Sequence, residues 1–345
     1  MPRRRERGPF PLDVYPETPE EHAAVAAFIA ELEAEEAAGR GRQRRRPPGP
    51  PAWARAKRAF EVTFADLAPP KARVEIGWVS QVGHGLSRRA FSAGVTLRPD
   101  PGGLSGDWIA LVPVDPEQPP DLAAEVRLLD WLKTQPLTDV RVPTVLATHD
   151  GVLLRSFLHG FPVDVKRNAG WMTVAEVAVA VHRLAPPPWL PGHPTRRAHA
   201  IAALSLLEGH EDPVCVDALA WGMANLPDER PASLLHGDLL GQNILAAEDA
   251  PPALIDWEYA QAGDPAYDLA IVTRGARQPF KLPDGLTALV EAYTEAGGVG
   301  VTVAHVRLFE LALAANWYVE SLGGRTQEGP EAMLGRLRGI LRRCQ

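Results

Sequence analysis

The chain has 345 residues, of which 46% are hydrophobic and 23% charged, a balance typical of globular proteins and long enough for two lobes or domains. Its net charge of -7 argues against general nucleic-acid binding by the whole chain. Two cysteines, Cys215 and Cys344, make neither a disulfide framework nor a cysteine zinc site, no apolar run approaches a membrane span, and the basic start MPRRRERGPF lacks the apolar stretch of a secretory signal, so a cytoplasmic location is expected.

Residues 1–67 read as an extension. TPEEHAAVAAFIAELEAEEAAG predicts a helix over about 19–38, with Thr18 as N-cap, Pro19 at the first helical position, Glu21 closing a capping box and Gly39 as the stop. A basic Pro/Gly-rich linker, GRGRQRRRPPGPP, follows over about 39–52. Its arginines could meet RNA or acidic lipid, but beside an acidic remainder a solvated linker is the expectation.

From Lys71 the texture changes. ARVEIGWVSQV, RRAFSAGVTL and DWIALVPV read as strands, with β-branched and aromatic residues between turn signals. PDLAAEVRLLDWLKTQ reads as a helix, and PTVLATHDGVLLRSFLHG as a hairpin turning at Asp150-Gly151. After Gly160 six segments carry period-3.6 apolar faces: TVAEVAVAVHRLA, RRAHAIAALSLLEG, VCVDALAWGMANL, LTALVEAYTEAG, VTVAHVRLFELALAANWYVESL and GPEAMLGRLRGILRRC. Residues 234–270 interrupt them as loop, strand, turn, strand, loop.

That interruption is where polar chemistry gathers. Asp238 and Asn243 lie five residues apart, and Asp256 follows 18 residues after Asp238. Short strands around Asn243 to Ala246 and Leu254 to Asp256 flank the turn AAEDAPP, and a hairpin there returns Asp256 towards Asp238 and Asn243. One free carboxylate and an Asn/Asp pair could hold Mg²⁺ through oxygen. The same residues also fit two ordinary turns with Asp caps.

HGDLLGQN followed by IDWEYAQAGDPAYDLA resembles the aminoglycoside phosphotransferase and choline kinase family, relatives of the protein kinases. The resemblance covers roughly residues 71–320. It implies an α+β, bilobal protein-kinase-like fold: an N-lobe of antiparallel sheet with one helix over 68–158, and a mostly helical C-lobe over 159–345. It implies ATP and Mg²⁺ as cofactors and transfer of a γ-phosphoryl group to a hydroxyl of a small molecule; the lack of a spanning apolar run separately leads to the expectation of no membrane partner. Asp238 takes the catalytic-base position, and Asn243 and Asp256 those of the metal ligands. Gly83, Gly85 and Ser87, in VSQVGHGLSRRAF, match the glycine loop over the phosphates. Glu125 matches the acid on the N-lobe helix, and Ser156, Phe157 and Leu158 the segment that pairs with adenine. His236 is expected to bond the loop backbone, and Glu258 to reach the metal or face solvent.

The chain departs from the pattern at one place. Relatives carry Lys or Arg on the third strand, and here Val112 takes the matching position, with no basic residue between Trp108 and Glu125. Arg88, Arg89 and Arg98 are the nearest replacements in sequence. A second reading follows: a non-catalytic kinase-like module that binds nucleotide or a partner. Protein phosphorylation is a third, with no activation-loop-like insertion after Asp256 to support it.

Overall fold

The computed structural model describes residues 51–84, 87–115, 122–165, 168–274, 285–324, 326 and 328–344. The helix expected over 19–38 and its basic linker lie outside them. The described residues fall into two compact units, one within Met1–Leu122 and Thr144–Phe157, the other within Ala123–Pro143 and Leu158–Gln345.

The first unit is built on an antiparallel sheet of β1 (Arg73–Ile76), β2 (Ser80–His84), β3 (Arg88–Arg98), β4 (Gly106–Pro113), β5 (Val145–His149) and β6 (Val152–Ser156). The order is β1-β3-β4-β6-β5, with β2 also pairing β3. The first expected strand breaks at Gly77, where a Cβ would lie 3.2 Å from the Gly94 carbonyl oxygen. The β5–β6 hairpin turns at Asp150 and Gly151, with φ of 48° and 75°. Positive φ at both central positions matches strand twist and selects the Asp-Gly pair.

Residues 53–67, counted above with the extension, behave otherwise. Ala52–Leu67 is a helix, α1, burying Ala56, Ala59, Phe60, Thr63 and Phe64. Those positions recur at helical spacing and form one apolar stripe. The stripe packs on Phe91, Ala93, Val95 and Leu97 of β3, Ala110 and Val112 of β4, and Val152 and Leu154 of β6. Alternation along the strands fixes the rest. Arg88, Ser92, Ile109, Leu111, Leu153 and Arg155 point to the opposite face. Val112 therefore buries its side chain against α1, where a charge would sit in an apolar cluster.

The second unit is mostly helical: α2 (Leu122–Leu132), α3 (Asn168–His182), α4 (Arg196–Leu204), α5 (Pro213–Ala224), α6 (Pro265–Arg274), α7 (Gly285–Glu295), α8 (Val303–Leu322) and α9 (Pro330–Arg342). In α8, Leu308, Phe309, Leu311, Ala312, Leu313, Ala314 and Ala315 are all buried. A helix apolar all round is a core helix. Its buried Glu310 accepts from Thr273 Oγ1 and pairs with Arg307. Two small sheets cross the unit. One joins β7 (Phe161–Pro162), β9 (Ile244–Ala246) and β10 (Ala253–Leu254), and the other pairs β8 (Ser233–Leu235) with β11 (Gln261–Gly263). Helix α6 replaces the loop expected around GDPAYDLA. Asp264 accepts from Ala266 N at 2.8 Å and Pro265 opens the first turn, an ordinary helix start. The whole is the kinase-like mixture of a curled antiparallel sheet and a helical remainder. Among the described residues no helix is long and apolar enough to cross a membrane.

Candidate functional site

The loop from His236 to Asn243 leaves β8 and enters β9. Antiparallel pairing of Leu245 with Ala253 and of Ile244 with Leu254 makes the expected hairpin. Ile255 N donates to Asn243 O at 2.9 Å, which ties the residue before Asp256 to the residue before β9. Asp256 itself has φ of 71°. Few residues tolerate the left-handed region, Asp among them, and such strain clusters at functional positions.

Asn243 is 5% exposed. Its Nδ2 donates to Asp238 O at 2.9 Å and to Asp238 Oδ2 at 3.0 Å. Both amide hydrogens are thereby used on Asp238, one on its main-chain carbonyl and one on its carboxylate, and Asn243 Oδ1 is left as an oxygen for a metal. His236 is fully buried. Its Nε2 lies 3.0 Å from Ile255 O, and its Nδ1 accepts from Asp238 N at 3.3 Å. That pair of contacts selects the tautomer with hydrogen on Nε2. The Trp257 ring meets the imidazole edge-on at 4.8 Å. His236 thus holds the loop backbone, as expected. Gly237 has φ of +81°, and a Cβ there would lie 1.9 Å from Tyr259 O. No other residue fits.

Beneath the loop lies a device the sequence did not disclose. Asp268 lies on α6 and does not bond its own turn. Instead it accepts from His236 N and Gly237 N at 2.8 Å each and meets His182 Nε2 at 3.1 Å. His182 Nδ1 lies 3.1 Å from the Tyr293 hydroxyl. Burial pushes the Asp268 carboxyl up, but the His182 hydrogen bond and charge, His236 and the backbone donors outweigh it and hold it below the usual carboxylate range. Burial pushes the Tyr293 phenol up. The chain Tyr293–His182–Asp268 ends on the two peptide groups preceding Asp238. Tyr293 carried no sequence signal, because its partner is 111 residues away.

Gly83 stands in β2 opposite Ala90, at a bulge, with a hypothetical Cβ 3.3 Å from Ala90 Cβ. Gly85 lies outside the described residues. Ser87 accepts Val114 N at 2.9 Å through its carbonyl. Glu125 is 3% exposed in the first turn of α2. Ser156 N and Phe157 N donate to Thr144 O and Asp107 O, so those two N–H groups are committed within the first unit. Glu258 is half-buried beside Trp257. Arg88 is buried at the start of β3, while Arg98 is exposed at its far end opposite Arg73. The strand rise of about 3.3 Å per residue puts Arg98 roughly 26 Å from Ala90, the partner of Gly83. Arg98 is thereby remote from the glycine turn.

Among the described residues no three His, Cys, Asp or Glu side chains group as metal ligands. The donors at hand are Asn243 Oδ1 and the Asp256 carboxylate, hard oxygens few enough to leave places for phosphate and water. That donor set suits Mg²⁺ and not zinc.

A model described as the phosphotransferase enzyme family matches residues 78–309. No curated protein matches. Among solved structures, the apoenzyme of macrolide 2'-phosphotransferase MphH from Brachybacterium faecium aligns with a TM-score of 0.60 at 20% identity, covering 81% of this chain and 97% of that one. The GDP complex of aminoglycoside 2'-phosphotransferase-IIIa aligns with a TM-score of 0.57 at 16% identity, covering 83% and 99%. Choline kinase LicA from Streptococcus pneumoniae gives 0.54 at 15% identity, covering 83% and 99%.

Proposed function

The chain belongs to the phosphotransferase enzyme family, and from that premise we propose that it transfers the γ-phosphoryl group of Mg·ATP to a hydroxyl group of a small molecule. The observation that carries the reading is the Asn243 amide, which fixes Asp238 Oδ2 at 3.0 Å while keeping its own Oδ1 for a metal. Phosphoryl transfer depends on positioning and charge neutralisation more than on covalent chemistry. Asp238 orients the acceptor hydroxyl and accepts its proton. Asn243 Oδ1 and Asp256 would hold Mg²⁺, which supplies positive charge to the nucleotide phosphates. Leu158 offers the N–H for an adenine edge, since those of Ser156 and Phe157 are already used. The solved neighbours are named for macrolides, aminoglycosides and choline, and acceptors of those three kinds are the first to try.

The test is nucleotide diphosphate release from ATP and from GTP over a panel of hydroxyl-bearing amines, sugars and macrolides, with and without Mg²⁺. Mg²⁺-dependent release with one acceptor class, abolished in Asp238→Asn, supports the reading. Absence of nucleotide binding at millimolar Mg·ATP would overturn it. The absence of a basic residue from β4 favours a second reading, a module that binds nucleotide without transferring it. Calorimetric binding of Mg·ATP with no turnover on any acceptor would select that one.

A further inference from the structure

An open depression of about 420 Å³ in the helical unit is lined by His182, Arg183, Arg196, Arg230 and Ser233 together with four neighbouring residues. Three guanidinium groups gather at it, and among the described residues none has a carboxylate within ion-pair distance. Arg196 is 7% exposed. Its Nη1 donates to Val299 O at 2.9 Å and its Nη2 reaches Ser233 Oγ only at 3.4 Å. Its buried Nε has no partner. A buried donor without an acceptor costs free energy, and its persistence calls for a missing partner. Arg183 and Arg230 are exposed; Arg183 Nη2 donates to Ala296 O at 3.1 Å.

The loop after α7, AGGVGVT, is shaped to let these side chains in. A Cβ on Gly297 would lie 2.7 Å from Arg183 Nη2. A Cβ on Gly300 would lie 3.2 Å from both Arg196 Nη1 and the Arg230 guanidinium. The φ of +93° at Gly297 and +71° at Gly300 favours glycine at both positions, and the three arginine side chains run along that loop. Asp264 is a buried acid whose charge reaches Arg196, with burial pushing its carboxyl up.

The geometry points to a site for a phosphate-type dianion, inorganic phosphate or a phosphomonoester, held by Arg183, Arg196 and Arg230. Planar guanidinium forks match phosphate oxygens bidentately. The site is built from residues that play no part in the nucleotide reading, and it stands or falls separately. One lining residue, His182, also touches Asp268 beneath the catalytic loop, so an occupied site would lie one side chain from that network.

The test is calorimetric titration with inorganic phosphate and, separately, glycerol phosphate, at ionic strength held constant with chloride. The wild-type chain, Arg183→Ala/Arg230→Ala and Asp256→Ala are compared. Both mutated arginines are exposed, so folding is expected to survive, and circular dichroism checks it. Saturable binding to the wild-type chain is expected, weakened at least tenfold in the double-arginine variant and retained in Asp256→Ala. Tighter binding of glycerol phosphate would identify the ligand as a phosphomonoester, and of phosphate as the free ion. The proposal is overturned by no saturable binding to the wild type, by unchanged affinity in the double variant, or by loss in Asp256→Ala, which would place the anion at the nucleotide site.

Discussion

Replacing Asp268 by Asn tests the network under the catalytic loop most directly. The native carboxylate accepts His236 N and His182 Nε2 on Oδ2 and Gly237 N on Oδ1. An amide keeps one oxygen. Its least costly placement turns the NH₂ towards Gly237, leaving that N–H facing another donor. An unsatisfied buried donor costs about 1–3 kcal/mol, and two charge-assisted bonds fall to neutral strength at about 1 kcal/mol each. Removing a buried charge offsets part of this, so a net loss of about 2–4 kcal/mol is expected, against a typical total of roughly 5–15 kcal/mol. Urea unfolding at pH 7 measures it. The pH dependence carries the sign. The folded carboxyl titrates below its unfolded value, so its contribution is complete above an unfolded pKa of about 3.9 and fades as pH falls through the folded one. The Asn variant lacks that acid-side loss. Turnover falls as well, because Gly237 immediately precedes Asp238. A variant within about 0.5 kcal/mol of wild type, with unaltered turnover, would refute the idea that Asp268 sets the loop; such a change is the size of an ordinary surface substitution.

Asp238→Asn keeps an oxygen for Asn243 Nδ2 and removes the proton acceptor; kcat falls roughly 10²–10⁴-fold with Mg·ATP affinity nearly unchanged, and a variant retaining more than about a tenth of the activity would move the chemistry elsewhere. His199, which accepts Asp264 N at 3.0 Å, has its pKa lowered to about 4 by burial and then by neighbouring His193. The unfolded chain then binds more protons between pH 6.5 and 4, so stability is complete above pH 6.5 and declines by up to about 3 kcal/mol on acidification through that window. His199→Asn flattens this segment of the pH–stability curve; an unchanged slope would assign it to another group. Phe60→Ala, deep in the cluster between α1 and the sheet, is expected to cost about 3–5 kcal/mol in chemical denaturation, and a loss under 1 kcal/mol would mean that α1 is dispensable to that core.

Much of this architecture is written locally. Asp150-Gly151 between two apolar runs dictates its hairpin, and the helices of the second unit announce themselves by period. The juxtaposition of Asp238 and Asn243, and the hairpin that leads to Asp256, were legible in residue type and spacing. Helix α1 is less legible: Ala56, Ala59, Phe60, Thr63 and Phe64 recur at helical intervals, but the Pro- and Arg-rich run directly before them has the composition of a linker. Helix α6 was hidden in the same way, by a motif whose functional look obscured an Asp–Pro helix start. The contacts of Asp268 could not be read at all. They span 31 and 32 residues to the loop and 86 to His182, and no local pattern encodes partners so distant. Val112 shows a third kind of limit. Its match to the basic position rests on counting along a strand, and the side that a strand residue faces is decided by pairing.

The packing of α1 also bears on where this chain can be cut. The family match begins at residue 78, inside the stretch between β1 and β2, and ends at 309, within α8. A fragment trimmed to those limits would strip α1 from the sheet and bare Phe91, Val95, Leu97, Val112 and Leu154 to water. It would also sever α8 and remove α9. Contiguous apolar faces of that kind drive association, so such a fragment should be recovered as aggregate. The boundary of shared ancestry and the boundary of autonomous folding differ here by at least the length of α1 on one side and of α9 on the other.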